Sequence, residues 1–253
     1  MAQILARTVR IFNLLAANPR GLTVTELSER LAVNKSTASR LLASLADDGL
    51  IERDEAGRHY LDIKFWSWGV QAARRLPFLD IARPHISAAV REWNIPAFIA
   101  VVRGEQTIYL ESITPQDDYI MLNIVSYVVP AYACAPGKAI LAFSSDEIRD
   151  AILSGPLERY TAHTLATTEE LREELQTIRT QGYSINRAEY YENNHLAIAA
   201  PILDSSIQPV AAICFYAITD DETMQKLVPP LLQLADVISS SLGYRRGVTE
   251  FVG

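Results

Sequence analysis

Between residues 22 and 45 the apolar side chains repeat at helical spacing, and the pattern is interrupted by a three-residue turn before a second helix begins. That interruption limits the fold more than any other feature of the chain. Thr23-Val-Thr-Glu26 is a capping box, in which the Thr23 hydroxyl and the Glu26 carboxylate satisfy free backbone donors reciprocally. The helix it opens places Val24, Leu27 and Leu31 on one face and lasts about two to three turns. Ala32-Val33-Asn34 leaves room only for a tight turn. Asn34 then caps a further helix, with Lys35, Ser36 and Thr37 in its first turn. Ala38, Leu41, Leu42 and Leu45 form the buried stripe of that helix, and Ser36, Ser39, Arg40 and Ala43 its outer face. Two short helices joined this tightly read as a helix-turn-helix.

The flanks agree. Residues 3–17 predict a preceding helix with Leu5, Val9, Phe12 and Ala16 on one stripe, widened by Ile4, Ile11 and Leu15, and ended by Asn18-Pro19-Arg20-Gly21. After the second of the paired helices come 50–54, a turn at Glu55-Ala-Gly57, and 58–62, which together predict a β-hairpin. A hairpin in this place is a wing. The layout suits DNA, because the second helix presents small polar and basic groups to a major groove while the first braces it. Hydroxyls and an asparagine can bond phosphates or base edges, Lys35 and Arg40 can reach phosphate or guanine, and a helix N-terminus favours phosphate. Thr23, Asn34, Lys35, Ser36, Thr37, Ser39, Arg40 and Arg58 are the candidate DNA contacts. For Arg58, near the wing tip, a solvated turn residue is an equal reading. A trihelical unit with a hairpin also serves as a protein-interaction module.

The charge distribution is compatible with the DNA reading. The chain of 253 residues has a net charge of -7, which argues against nucleic acid until its distribution is considered. Residues 1–40 carry Arg7, Arg10, Arg20, Arg30, Lys35 and Arg40 against Glu26 and Glu29, a local balance of +4, and the acidic excess lies downstream. A basic module carried by an acidic partner domain fits DNA binding. With 49% hydrophobic residues and no apolar run of the roughly 18 residues that span a bilayer, the chain reads as soluble. The first residues carry no signal-peptide pattern, so the expected compartment is the cytoplasm, with no membrane partner. Cys134 and Cys214 make neither a disulfide framework nor a zinc site, and no metal or cofactor is expected.

Residues 63–76 predict a linker helix broken at Leu76-Pro77, in which Trp66 and Trp68 suggest a packed joint or ordinary core. Then follow a helix over 78–94, interrupted or restarted near Pro84; a hairpin, 97–102 with 107–112; a strand over 119–125; and helices over 136–143 and 145–153. Thr167-Thr-Glu-Glu170 is a second capping box, opening a helix with Leu171, Leu175 and Ile178 inward, stopped by Gly182. Strands at 183–187, 196–203 and 210–217 precede a last helix from Thr219 to about Leu242, kinked or restarted at Pro229-Pro230. Paired strands with flanking helices indicate an α+β domain with an antiparallel sheet. The predicted division is 1–62, a winged helix-turn-helix; 63–76, the linker helix; and 77–253, the larger domain.

The segments 21–31, 34–45, 49–53 and 57–61 resemble the IclR family of bacterial transcription regulators. Ala135-Pro-Gly-Lys-Ala-Ile-Leu-Ala142, Gln181-Gly-Tyr183, Ala199-Ala-Pro-Ile202 and Val210-Ala-Ala-Ile213 extend the resemblance, in order, over nearly the whole chain. It implies a GAF-like ligand-binding domain, dimerisation largely through the first helix, homodimers or homotetramers on palindromic operators, and a small organic acid or aromatic metabolite as effector.

The resemblance also implies a pocket between the sheet and the Gly-Lys-Ala segment, with Cys134, Ala135 and Pro136 at that helix start and His195 and Ala197 on the next strand. Cys214 and Tyr216, two apart on a strand, face one side. Tyr132 offers an aromatic wall, and Arg187 or His195 a charge. Pro136 removes a backbone donor where many members have one, and Tyr216 is large where a small hydroxyl residue is common. Both departures favour an aromatic or larger ligand over a tiny acid. A half-buried strand shows the Cys214/Tyr216 alternation in any case, and His195 can equally cap a turn after Asn193-Asn194. No nucleophile elbow, phosphate loop, dinucleotide fingerprint or His pair at i, i+4 is present. The alternatives are a cysteine-dependent enzyme using Cys134 or Cys214 with His195, and a regulator whose second domain only oligomerises.

Overall fold

A computed structural model describes residues 2–115, 128–192 and 195–245. The expected strand over 119–125 and the Asn193-Asn194 turn lie outside them. The chain divides into two compact units, Met1–Pro77 and Phe78–Gly253.

In the first unit, α1 (Ala2–Ala16), α2 (Val24–Leu31) and α3 (Lys35–Asp47) pack around one core. Ile11, Leu15, Leu22, Leu27, Leu31, Leu42, Leu45 and Ile51 are its buried members. The α1 stripe is narrower than its periodicity suggests. Ile11 and Leu15 are buried, whereas Ile4, Leu5 and Val9 stand exposed. Both caps form as read: Thr23 and Glu26 close the box, and the Asn34 side chain accepts from Thr37 N–H. Ala32 turns the chain between the helices in the left-handed region, φ 54. The wing, β2 (Ile51–Arg53) with β3 (Arg58–Leu61), gains a third strand, β1 (Leu22–Thr23), in the order β1-β3-β2. That two-residue strand is too short to carry a period in sequence.

α4 (Lys64–Ala73) follows, with no buried residue. Phe65 meets Phe12 of α1 edge-on, ring centroids 5.0 Å apart. Within this unit Trp66 is 73% and Trp68 49% exposed, and Trp68 meets Phe65 edge-on at 5.4 Å.

The second unit is a six-stranded antiparallel sheet with helices. Its strands are β4 (Ala97–Arg103), β5 (Gln106–Ile113), β6 (Val128–Pro130), β7 (Ser184–Arg187), β8 (Leu196–Leu203) and β9 (Pro209–Ile218), in the order β6-β5-β4-β9-β8-β7. Successive strand residues point to opposite faces. Every residue of β8 from Ala197 to Leu203 is buried, so both faces of the sheet centre are covered. One face carries Phe98, Ala197, Ala199, Ala212 and Cys214 against α6 (Ala135–Phe143). α9 (Asp221–Ser241) also packs on β8 and β9, and α5 (Phe78–Trp93) packs on α9. α7 (Asp146–Leu153) and α8 (Thr168–Gln181) complete the unit, α8 beside α6.

Neither α5 nor α9 restarts at its prolines. α5 runs unbroken through Pro84, and α9 through Pro229 and Pro230. A proline removes only its own donor, and buried neighbours on either side (Ala82 and Ile86; Val228 and Leu231) hold the flanking turns.

Candidate functional site

The outer face of α3 is open. Lys35, Ser36, Ser39, Arg40 and Ala43 are all exposed, and Thr37 is half-buried. The Asn34 Oδ1 accepts from Thr37 N (2.8 Å) and from the Ser36 hydroxyl (2.9 Å), so the cap and the first turn form one rigid unit. Arg40 leans along the helix, Nε 3.4 Å from Ser36 O. Thr23 and Arg58 are engaged within the fold instead. The Thr23 hydroxyl donates to Glu26 Oε2 (2.8 Å), and Arg58 Nη1 donates to Gly21 O (2.9 Å) and lies 3.4 Å from Glu26. Bonds from the Thr23 backbone N–H and hydroxyl hold the Glu26 carboxyl below the usual range. Arg58 thus turns back to the start of α2. Its side chain stays 38% exposed, beside a turn in which Asp54 accepts from Arg58 N and Tyr60 OH.

The second unit holds a cavity of about 360 Å³ lined by Phe98, Tyr109, Val129, Ala133, Cys134, Ala135, Asn186, Tyr190, Tyr191, Ala197, Cys214 and Tyr216. Five of the predicted effector residues, Cys134, Ala135, Ala197, Cys214 and Tyr216, are among them. Cross-strand register explains the wall: Phe98 of β4 pairs with Cys214 of β9, which pairs with Ala199 of β8. Phe98 meets both Tyr109 and Tyr216 edge-on at 5.9 Å. Between the pairs Leu196–Ile218 and Ile198–Phe215, Ala197 alone stands opposite Tyr216 and Ala217, and Ala217 has φ 61. That is a β-bulge, a device that re-aims a side chain beside a site.

The remaining predicted residues lie elsewhere. The Tyr132 hydroxyl donates to Glu158 O (2.9 Å) and its ring sits in a separate core cluster. Pro136 is buried inside the first turn of α6. Arg187 pairs with Asp221 at 2.7 Å on the surface. His195 is half-buried with its ring 5.8 Å from that of Tyr216, outside the cavity lining. Sequence reasoning missed Phe98, Tyr109, Val129, Ala133, Asn186, Tyr190 and Tyr191. The strand periods of β4 and β5 carried the signal for Phe98 and Tyr109, once their shared face was known. Tyr190 and Tyr191 sit on a loop without period.

That loop is tied to α6. Lys138, 1% exposed, places Nζ 2.7 Å from Glu189 and 3.0 Å from Glu174. Asn186 Nδ2 donates to Ala133 O (3.0 Å), and the Ser184 hydroxyl to Ala135 O (2.6 Å). The rings of Tyr160, Tyr190 and Tyr191 stack edge-on in sequence, 4.7 and 4.5 Å apart. Burial pushes the Cys134 and Cys214 thiols and the Tyr109 and Tyr216 phenols up, so all four stay protonated at neutral pH. They are neutral hydrogen-bonding groups, and a thiol held in this way is a poor nucleophile. Among the described residues no group of three or more His, Cys, Asp or Glu is placed to hold a metal ion.

Comparison with known proteins follows the same division. Residues 4–55 match the IclR helix-turn-helix domain, and residues 70–240 the family described as bacterial transcriptional regulator IclR C-terminal. The chain is similar to the HTH-type transcriptional regulator KipR of Bacillus subtilis, with 28% identity over 94% of this chain and 96% of that one. It is similar also to KdgR of Dickeya chrysanthemi, with 27% identity over 93% and 79%. A crystal structure of an IclR homologue from Microbacterium hydrocarbonoxydans, complexed with 4-hydroxybenzoate, superimposes with a TM-score of 0.78 at 25% identity, over 95% of this chain and 99% of that one. These relatives are regulators, a non-enzymatic class. A capped helix-turn-helix with its wing, a linker helix and a sheet-and-helix domain in one chain, matched along both parts, make this protein an IclR-family transcriptional regulator.

Proposed function

We propose that this regulator acts in the cytoplasm as a homodimer or homotetramer on a palindromic operator, and that an aromatic metabolite in the cavity of the second unit modulates its DNA binding. The observation that carries the ligand is the lining itself. Phe98 and four tyrosines surround a space of about 360 Å³, the size of a one-ring molecule with substituents. The relative with bound 4-hydroxybenzoate supports an aromatic ligand for this fold. Apolar side chains exposed on α1 (Ile4, Leu5, Val9) and at and along the start of α4 (Ile63 before it, Trp66 and Val70 on it) support self-association of the first unit. Two-fold pairing of α3 would read half-sites one helical turn, about 34–36 Å, or a multiple of it apart. Ligand binding would act as a coupling free energy between the two sites.

Lys35, Ser36, Ser39 and Arg40 are the proposed contacts from α3, with Asn34 and Thr37 shaping its N-terminus. Arg40→Ala should weaken operator binding by about 1–3 kcal/mol, roughly 5- to 150-fold, with an unchanged melting temperature. Fluorescence anisotropy with promoter DNA measures it, and unaltered affinity would remove Arg40 from the interface.

The ligand is tested by a thermal-shift screen of aromatic metabolites, with each hit carried into promoter binding. A true effector at one hundred times its Kd stabilises by about 2.7 kcal/mol and raises the melting temperature by several degrees. Tyr216→Ala should lose this response, by roughly tenfold or more in affinity, and keep DNA binding in the ligand-free state. If no aromatic compound stabilises the protein while DNA binding stays intact, the second unit is an oligomerisation scaffold.

A further inference from the structure

We infer that the cavity selects an uncharged aromatic ligand, such as a phenol bearing an alcohol, ester or amide group, and rejects the corresponding carboxylate. This rests on the reading of the cavity as the effector site. Every side chain lining it is apolar or a neutral hydrogen-bonding group: hydroxyls of tyrosine, thiols of Cys134 and Cys214, and the amide of Asn186. Among the described residues no lysine, arginine or histidine lines it. The internal stretches outside the described residues, 116–127 and 193–194, contain none of the three.

His195 stands beside the cavity and outside its lining, half-buried with its ring 5.8 Å from that of Tyr216. Three further sources of positive charge remain. Arg187 is committed to Asp221 on the surface. Lys138 is buried on α6 but faces two carboxylates, Glu189 at 2.7 Å and Glu174 at 3.0 Å, so its charge is already balanced. The third is the N-terminus of α6, where free N–H groups attract anions in general. Here that end is one donor short. Pro136 has no N–H. Lys138 N–H donates to Cys134 O at 3.0 Å, the ordinary helical bond. The N–H groups of Ala135 and Gly137 that remain are dipoles, not a full cation, and offset a buried carboxylate only in part.

A carboxylate entering this site would give up its water for phenols, an amide and thiols, with no cation to compensate. Burial of an unpaired charge is among the costliest changes in protein chemistry. An ester, amide or alcohol of the same ring loses far less, because one or two neutral hydrogen bonds replace its water. The resemblance alone allows an organic acid, and the relative with bound 4-hydroxybenzoate holds one. The lining of this chain argues for an uncharged polar group instead.

The test compares three ligands of one shape. Methyl 4-hydroxybenzoate, 4-hydroxybenzamide and 4-hydroxybenzoate are titrated calorimetrically into the full-length protein at pH 7.5, where only the last is an anion. The neutral pair should bind at least about tenfold more tightly than the acid. A carboxylate that binds as well as or better than its ester would overturn the inference and leave the cavity as the effector site. Binding of none of the three, together with no stabilisation by the wider aromatic set, would remove the effector reading itself, and the inference with it. A second arm places a cation at the mouth. Tyr216→Lys, verified as folded by its circular dichroism melt, should shift the preference toward 4-hydroxybenzoate by about tenfold or more. An unchanged ratio in that variant would show that cavity charge does not set the selection, again overturning the inference.

Discussion

Gly137→Ala is expected to cost the second unit at least about 3 kcal/mol. A Cβ at Gly137 would lie 2.2 Å from Ala131 O and 2.5 Å from Thr107 Oγ1. The first of these is backbone, so no rotamer change relieves it. Either α6 lifts off β5 or the turn at Ala131–Ala133 moves, and both lines of adjustment run through the cavity wall at Ala133 and Cys134. Overpacking a good core costs about 1–3 kcal/mol, and a clash with main chain sits at or beyond the top of that range. For a domain of this size the loss corresponds to a fall of roughly 6–12 °C in melting temperature, read by differential scanning calorimetry. Gly69 in α4 is the control, since nothing lies within 4 Å of its Cβ position. Alanine there should be neutral or stabilise by up to about 1 kcal/mol, from helix propensity alone. Equal melting temperatures for Gly137→Ala and the parent protein would show that the close approach of α6 is not required.

Lys138→Met should be as damaging, about 3–5 kcal/mol at pH 7, for an electrostatic reason. The substitution preserves length and apolar packing but strands Glu189, itself only 7% exposed. Burial already pushes the Glu189 carboxyl above its ordinary value of 4.5, against the pull of Lys138 downward. Without the lysine it rises further. A carboxyl raised in the folded state adds stability that is fully present below the unfolded value near 4.5 and is lost as pH climbs through the folded one. The defect of Lys138→Met should therefore shrink as pH falls from 7 toward 4.5, while the parent protein gains less over the same range. Urea denaturation at pH 7 and pH 5 measures this. Adding Glu189→Gln should restore part of the loss at pH 7, because an amide is cheaper to bury unpaired than a carboxylate. A defect independent of pH and untouched by Glu189→Gln would mean that lost packing, not a stranded charge, is the cause. Because Glu189 precedes Tyr190 and Tyr191, the same variant should also loosen the cavity wall.

The two halves of the protein differ in how openly their sequences state their purpose. The reading head is local. A capping box, a three-residue turn and a capped helix are each settled by neighbours within four or five positions, so α2, α3 and their caps were legible at once. So were the second capping box at Thr167, the stop at Gly182 and the strands from β7 to β9, whose side-chain period is set by their own residues. Family resemblance then reached five lining residues of the cavity, all on α6, β8 and β9 or at their ends.

What tertiary structure alone decided are the relations between distant segments. Phe98 and Tyr109 became lining residues because β4 pairs with β9, more than one hundred positions away. Tyr190 and Tyr191 joined them because a buried lysine on α6 draws Glu189 across. Arg58 turns back to the start of α2 because Gly21 O and Glu26 lie within its reach, and Arg187 left the pocket because Asp221 does. Ala217 bulges in a left-handed conformation that nothing about an alanine announces, and Tyr216 is aimed accordingly. Helices, caps and strand faces follow from the preferences of consecutive residues. Which side chain meets which partner follows from long-range packing, where a charge or a ring takes the lowest-energy neighbour that the assembled fold brings near.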